Sequence, residues 1–190
     1  DIMAGLTRRQ FGLFTGASAA ALTLPTYLRA QGKPRVVVIG GGAGGATAAR
    51  YIAKDSDGAI DVTLIENSDV YTTCFYSNLY VGGFRSFESI THSYDGLQSS
   101  YGITKVTGMA TGVDRAQKTV MMADGASVPY DRLVVAPGID LIWDSVPGYS
   151  EAVSEIAPHA WKAGDQTKIL KAKLDAIENG QQILIVPPTN

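Results

Sequence analysis

Three observations predict an α/β fold built on a parallel sheet. The β-branched run 36–39 leads straight into the glycine turn "GGGAGG" and a small-residue stretch, and a second apolar run ends in Glu66. This is a βαβ unit within about 30 residues. Further on, "KTVMMADGASVPYDRLVVAPG" alternates about Asp124 and Gly125 and then turns continuously apolar, as an antiparallel meander followed by a buried strand would. Finally, Ile169, Leu170, Leu174 and Ile177 recur at helical spacing ahead of the apolar "QQILIVPPTN". Together these predict a Rossmann-like dinucleotide-binding domain, a parallel sheet with a β-meander, over residues 34–163. A second dinucleotide-binding-like domain begins at residues 164–190.

In order along the chain, residues 36–39 form a strand suited to burial on both faces. Residues 43–53 are small and helix-forming, so that helix lies close to the sheet. Residues 60–67 alternate and form the second strand. A helix is expected over 93–101 and a strand over 103–106. The meander turns at Asp124-Gly125 and a buried strand follows over 133–136. Residues 138–163 carry three aromatic residues and little periodicity, and read as an ordered connection. A helix over 167–178 precedes the final apolar run, which begins another buried strand. An unpaired apolar edge strand invites association, so the chain is expected to be the N-terminal portion of a longer protein.

The composition excludes some functions. Hydrophobic residues make up 45% and charged residues 18%, ordinary values for a globular protein. A net charge of −2 without a basic patch gives nucleic-acid binding no electrostatic support. The first thirty residues stand apart. Arg8 and Arg9, with Phe11 two residues later, precede an apolar stretch to Leu28 and a small residue, Ala30. That order predicts a cleaved twin-arginine export signal over residues 1–30 and a periplasmic mature chain, with Met3 as the start. Thr15, Gly16, Ser18, Thr23 and Pro25 interrupt the run, which argues against a membrane span. In an oxidising compartment cysteines usually pair, yet Cys74 is the only one in the chain.

Gly40, Gly42 and Gly45 fit G-x-G-x-x-G, with Ala43 opening the helix. The first glycine serves the tight turn, the second the approach of a pyrophosphate, and the third close helix–strand packing. Glu66 follows 21 residues after Gly45, where a carboxylate accepts ribose hydroxyls. The fingerprint alone leaves NAD and FAD open. The later strand ends in Ala136-Pro137-Gly138, similar to the second signature of flavoproteins with two dinucleotide domains. This favours FAD, with Ala110, Ala136 and Gly138 added to the cofactor-binding set.

The motifs "RVVVIGGGAGGATAARYI", "VTLIE", "YTTCFYSNLYVGG", "YDRLVVAPGI" and "PHAWKAGDQT" resemble the flavoprotein subunit of flavocytochrome c sulfide dehydrogenase. The resemblance implies that Cys74 is joined through sulfur to the 8α carbon of FAD. Cys74 lies eight residues beyond Glu66, and that much extended chain reaches at most about 26–29 Å, enough to pass from ribose to ring. The resemblance also implies oxidation of sulfide to persulfide or polysulfide sulfur at a redox disulfide beside the flavin. Electrons then pass singly to a c-type cytochrome subunit. The cysteines of that disulfide are expected beyond Asn190, so no catalytic residue and no metal ligand is assigned within the chain. His159 and Trp161 are expected to order the connection, and His92 to lie on the surface. Tyr71, Phe75, Tyr76 and Tyr80 either wall the flavin or simply pack. Three alternatives stay open: a sulfide:quinone oxidoreductase, an NADH:quinone oxidoreductase, or a non-catalytic FAD-binding protein.

Overall fold

The computed structural model describes residues 32–143 and 145–187. The expected export segment, with Arg8, Arg9 and Ala30, lies outside them, as does Asn190. The chain enters the sheet at β1 (Arg35–Ile39), passes through the glycine turn into α1 (Ala43–Asp55), and returns as β2 (Asp61–Glu66). An excursion follows, made of β3 (Val70–Thr72), α2 (Ser77–Val81), a 3-10 turn at Glu88–Ile90, and β4 (Thr91–Ser93), which pairs antiparallel with β3. Next, α3 (Asp95–Tyr101) leads to β5 (Thr104–Thr107). β6 (Ala110–Asp114), β7 (Thr119–Met122) and β8 (Ser127–Pro129) form the antiparallel meander. β9 (Arg132–Val135) then rejoins the sheet, and α4 (Glu151–Ser154) and α5 (Asp165–Asp175) follow.

The main sheet runs β5-β2-β1-β9 with every neighbouring pair parallel. Side chains alternate across a strand, and the central strands carry apolar residues on both faces. Val36, Val38, Val62 and Leu64 form one core with Ala49, Ala53, Tyr94 and Ile103 on the helical side. Val37 and Ile65 form the other with Val120 and Met122 of the meander and with Tyr130. The sheet is therefore a middle layer, which is why 36–39 is a continuous apolar run. α1 buries Gly45, Ala49 and Ala53, four residues apart on one face, and their small size brings the helix axis close to the sheet.

Several expected elements differ. The meander gains β6 as a third strand. The helix expected from residue 93 begins at Asp95, because Ser93 is paired with Val70 in the β3–β4 ladder. β9 is half-buried, with Val135 61% exposed, because it is the edge strand of the sheet and pairs only with β1. α5 starts earlier than expected and ends at Asp175, leaving Ile177 outside it. The strand expected in the last apolar run is not formed over residues 181–187, and Leu184 is 86% exposed. A strand needs a neighbour to pair its backbone groups, and no described strand lies beside this run.

Arg35 and Asp131 close the entry ends of β1 and β9. The Asp131 carboxylate accepts the Arg35 backbone N–H at 2.8 Å and its guanidinium at 3.1 and 3.2 Å. Hydrogen bonds from the Arg35 side chain and then its backbone hold the Asp131 carboxyl down to about 2, from an ordinary 3.8. A depressed carboxyl stabilises the fold fully above its unfolded value, and that contribution is lost as pH falls through the folded one. Asp131→Asn is therefore expected to flatten the loss of stability between about pH 4 and pH 2, as read by urea titration across that window. An unchanged acid limb would contradict the assignment.

Candidate dinucleotide and flavin site

β1 lies between β2 and β9, so the glycine turn sits at the carboxyl end of a strand where the sheet order switches direction. Open α/β sheets bind ligands at such points. Gly40 has φ +95°, and a Cβ there would strike the Ala136 carbonyl oxygen. A Cβ on Gly45 would strike the Gly40 carbonyl oxygen. Gly40 N–H donates to the Ile65 carbonyl at 2.9 Å, and Ala136 N–H to the Ile39 carbonyl at 2.8 Å. Gly40, Gly45 and Ala136 are thus one backbone knot joining β1, α1 and β9.

Gly42 is glycine for a different reason. Its φ is an ordinary −67°, and the nearest atom to a Cβ there is a Tyr71 ring carbon at 3.8 Å. The packing of the chain itself does not forbid a side chain at Gly42. The room is open, and it adjoins the N-terminus of α1, which has neither a side-chain cap nor an acidic residue in its first turn. First-turn amides lack intrahelical partners, and the helix dipole favours an anion there. This cradle of Gly42 and Ala43 fits the pyrophosphate of a dinucleotide.

Glu66 ends β2 beside the turn. One carboxylate oxygen accepts Gly41 N–H at 2.6 Å and the other accepts Ser68 N–H at 3.0 Å. A carboxylate offers about four acceptor sites, so two remain for hydroxyl groups. Gly108 N–H donates to the Glu66 carbonyl at 3.1 Å, which brings the head of β6 to the same sheet end. Ala110 itself packs against the second core. Gly138 has φ +80°, and a Cβ there would meet no atom within 4 Å, so its positive φ, rather than crowding, calls for glycine.

The Cys74 thiol is free and exposed, while its backbone is pinned on both sides. Thr73 and Ser77 are buried at 7% and 8% exposure. Thr73 N–H donates to the Ile90 carbonyl at 2.9 Å, and the Ser77 hydroxyl donates to the Cys74 carbonyl at 2.9 Å. Tyr76 holds φ +66°, which turns the chain sharply into α2. Tyr71 links this loop to the glycine turn: its hydroxyl donates to Thr73 Oγ1 at 3.3 Å, and its ring is the neighbour of Gly42. An open cleft of roughly 550 Å³ touches Gly41, Ala43, Arg50, Tyr71, His92 and Tyr94. Phe75 and Tyr76 are 60% and 57% exposed beside the thiol, whereas Tyr80 packs edge-on against Phe87 at 5.2 Å.

His92 is exposed and pairs across the ladder with Tyr71. His159 lies 5.8 Å from the Trp143 ring, and burial together with Lys162 holds its pKa below the usual imidazole value. It is a packing residue of the connection, and Trp161 is 72% exposed. Three residues with a part in the site were not anticipated: Thr73 and Ser77, which anchor the cysteine loop, and Tyr94, whose hydroxyl donates to the Gly41 carbonyl at 3.0 Å. A third consecutive glycine, one more than the turn motif uses there, was the available sign of a close neighbour. Among the described residues, no cluster of His, Cys, Asp and Glu could hold a metal, and no helix is long and apolar enough to cross a membrane.

The chain is similar to several known proteins. The mitochondrial sulfide:quinone oxidoreductase of Dictyostelium discoideum is 31% identical over 121 residues, covering 62% of this chain and 26% of that protein. The chain therefore spans about a quarter of that relative's length. The flavoprotein chain of sulfide dehydrogenase (flavocytochrome c) from Chlorobaculum thiosulfatiphilum is 51% identical over 47 residues, 25% of this chain and 96% of that sequence. In structure, the sulfide:quinone oxidoreductase of Aquifex aeolicus superposes with a TM-score of 0.62 at 24% identity, over 75% of this chain and 32% of the other, a likeness of fold. The family model for pyridine nucleotide-disulphide oxidoreductases matches residues 34–186, and the chain belongs to that family.

Proposed function

We propose that the chain is the N-terminal portion of an FAD-dependent sulfide dehydrogenase flavoprotein that delivers electrons to a c-type cytochrome, with the cofactor tethered through Cys74. The observation that carries this reading is the exposed thiol on a pinned loop that Tyr71 connects to the glycine turn. The 51% identity to a flavocytochrome c flavoprotein chain supports it. In this reading residues 1–30 are a twin-arginine signal to the periplasm, residues 34–163 belong to the FAD-binding domain, and residues 164–190 begin a second, NAD(P)-binding-like domain.

When bound, FAD supplies two-electron uptake from a sulfur donor and one-electron release to an acceptor. The first turn of α1 would present its amides to the pyrophosphate, Glu66 would accept the ribose hydroxyls, and Cys74 would fix the ring end. Cys74 would hold the ring end through a thioether, whose formation would replace an S–H and a C–H bond and pass two electrons and two protons to an oxidant such as dioxygen. The chain holds a single cysteine, Cys74, so in this reading it supplies no redox disulfide of its own.

A second reading is a sulfide:quinone oxidoreductase, favoured by the Dictyostelium and Aquifex relatives. The two separate on the acceptor. Purified full-length protein is expected to reduce cytochrome c with sulfide faster than it reduces a short-chain quinone. The reverse order would transfer the chain to the second reading, and reduction of neither acceptor would overturn both.

A further inference from the structure

The glycine triplet contains one residue, Gly41, that the dinucleotide fingerprint does not require. A Cβ at Gly41 would lie 2.5 Å from the Tyr94 hydroxyl oxygen and 2.7 Å from two of its ring carbons. Tyr94 stands just before α3 and is 4% exposed, with its ring in the core between α1 and the sheet. Its hydroxyl donates to the Gly41 carbonyl at 3.0 Å, while Gly41 N–H donates to Glu66 at 2.6 Å. Both peptide units flanking Gly41 are therefore held from the protein side.

The peptide unit is planar and trans, so its C=O and N–H point in opposite directions. The hydrogen bond to Glu66 turns the preceding Gly40 carbonyl the other way, toward Gly45, where a Cβ would strike it. By the same rule, drawing the Gly41 carbonyl down to Tyr94 aims the Gly42 N–H outward. That N–H makes no hydrogen bond among the described residues, and a Cβ on Gly42 would meet nothing nearer than a Tyr71 ring carbon at 3.8 Å. The geometry points to Tyr94 as a positioning residue that fixes the Gly41–Gly42 peptide so that Gly42 N–H is preset for a phosphate oxygen of the dinucleotide. Burial, with Glu66 and Tyr71 nearby, holds the Tyr94 phenol up to about 12, so it remains a donor across physiological pH. The Lys105 ammonium, 5.4 Å from the ring centroid, helps to hold the ring in place.

This inference rests on the dinucleotide reading of the turn, and its test separates the two. Tyr94→Phe keeps the ring and removes the donor. In ligand-free full-length protein, the Gly41 carbonyl carbon resonance is expected to move upfield, because that carbonyl loses its O–H donor while Gly41 N–H keeps Glu66 as its acceptor. In a Cys74→Ser background, where the association is reversible, FAD binding is expected to weaken by about five- to tenfold. Ile103→Ala, in the same core but away from the turn, controls for lost stability and is expected to leave FAD affinity within about twofold, whatever its effect on unfolding. An unmoved Gly41 carbonyl resonance in Tyr94→Phe would overturn the clamp, and unchanged FAD affinity would overturn its role in binding. Equal weakening in Ile103→Ala would also overturn that role. If the parent protein does not bind FAD, the dinucleotide reading fails, and the carbonyl resonance still decides the clamp.

Discussion

Gly45→Ala is expected to destabilise the fold by about 3 kcal/mol, because a new Cβ meets backbone rather than a side chain that could swing away. The obstructing atom is the Gly40 carbonyl oxygen, itself part of the knot tied by Gly40 N–H to Ile65. In a helix interior the same substitution normally gains about 0.5–1 kcal/mol, so the sign depends on this one contact. For a domain of this size the loss corresponds to a fall in Tm of about 6–12 °C. Gly44→Ala supplies the contrast. It is one residue away in α1 with nothing within 4 Å of its Cβ position, and it is expected to be neutral or stabilising. Equal thermal shifts for the two variants would contradict the packing account of the turn.

Glu66→Ala is expected to weaken FAD binding by about ten- to a hundredfold and to lower stability by about 2 kcal/mol. Two separate losses contribute. Gly41 N–H and Ser68 N–H lose their acceptor, and hydrogen bonds to a charged group are worth more than neutral ones. In the proposed site the ribose hydroxyls would lose the same carboxylate. Glu66→Gln keeps one acceptor oxygen and is expected to fall between the parent and the alanine variant. FAD titration in the Cys74→Ser background reads the first effect and urea unfolding the second. A Glu66→Ala protein that binds FAD as the parent does would remove Glu66 from the site.

The βαβ unit was legible because its signals are local. The run at 36–39, the glycine spacing and the carboxylate of Glu66 all fall within one supersecondary unit, and all reappear in place. The meander turn at Asp124-Gly125 was equally local, with Gly125 at φ +86°. The contacts that complete the site are not local. Tyr94 reaches Gly41 across 53 residues, and Thr73 is anchored to Ile90 by a backbone bond that no pattern announces. Likewise, residues 181–187 carry the composition of a strand, but pairing depends on a neighbour and none is described. The exposed position of Cys74 was not legible either, since an apolar setting such as "CFY" more often surrounds a buried thiol.

Flavin retention on denaturing gel electrophoresis tests the central claim most directly. The full-length protein is expected to show flavin fluorescence under ultraviolet light that stays with the polypeptide band, and Cys74→Ser is expected to lose it. Fluorescence that leaves the wild-type band on denaturation, or that persists in Cys74→Ser, would contradict attachment of the cofactor at Cys74.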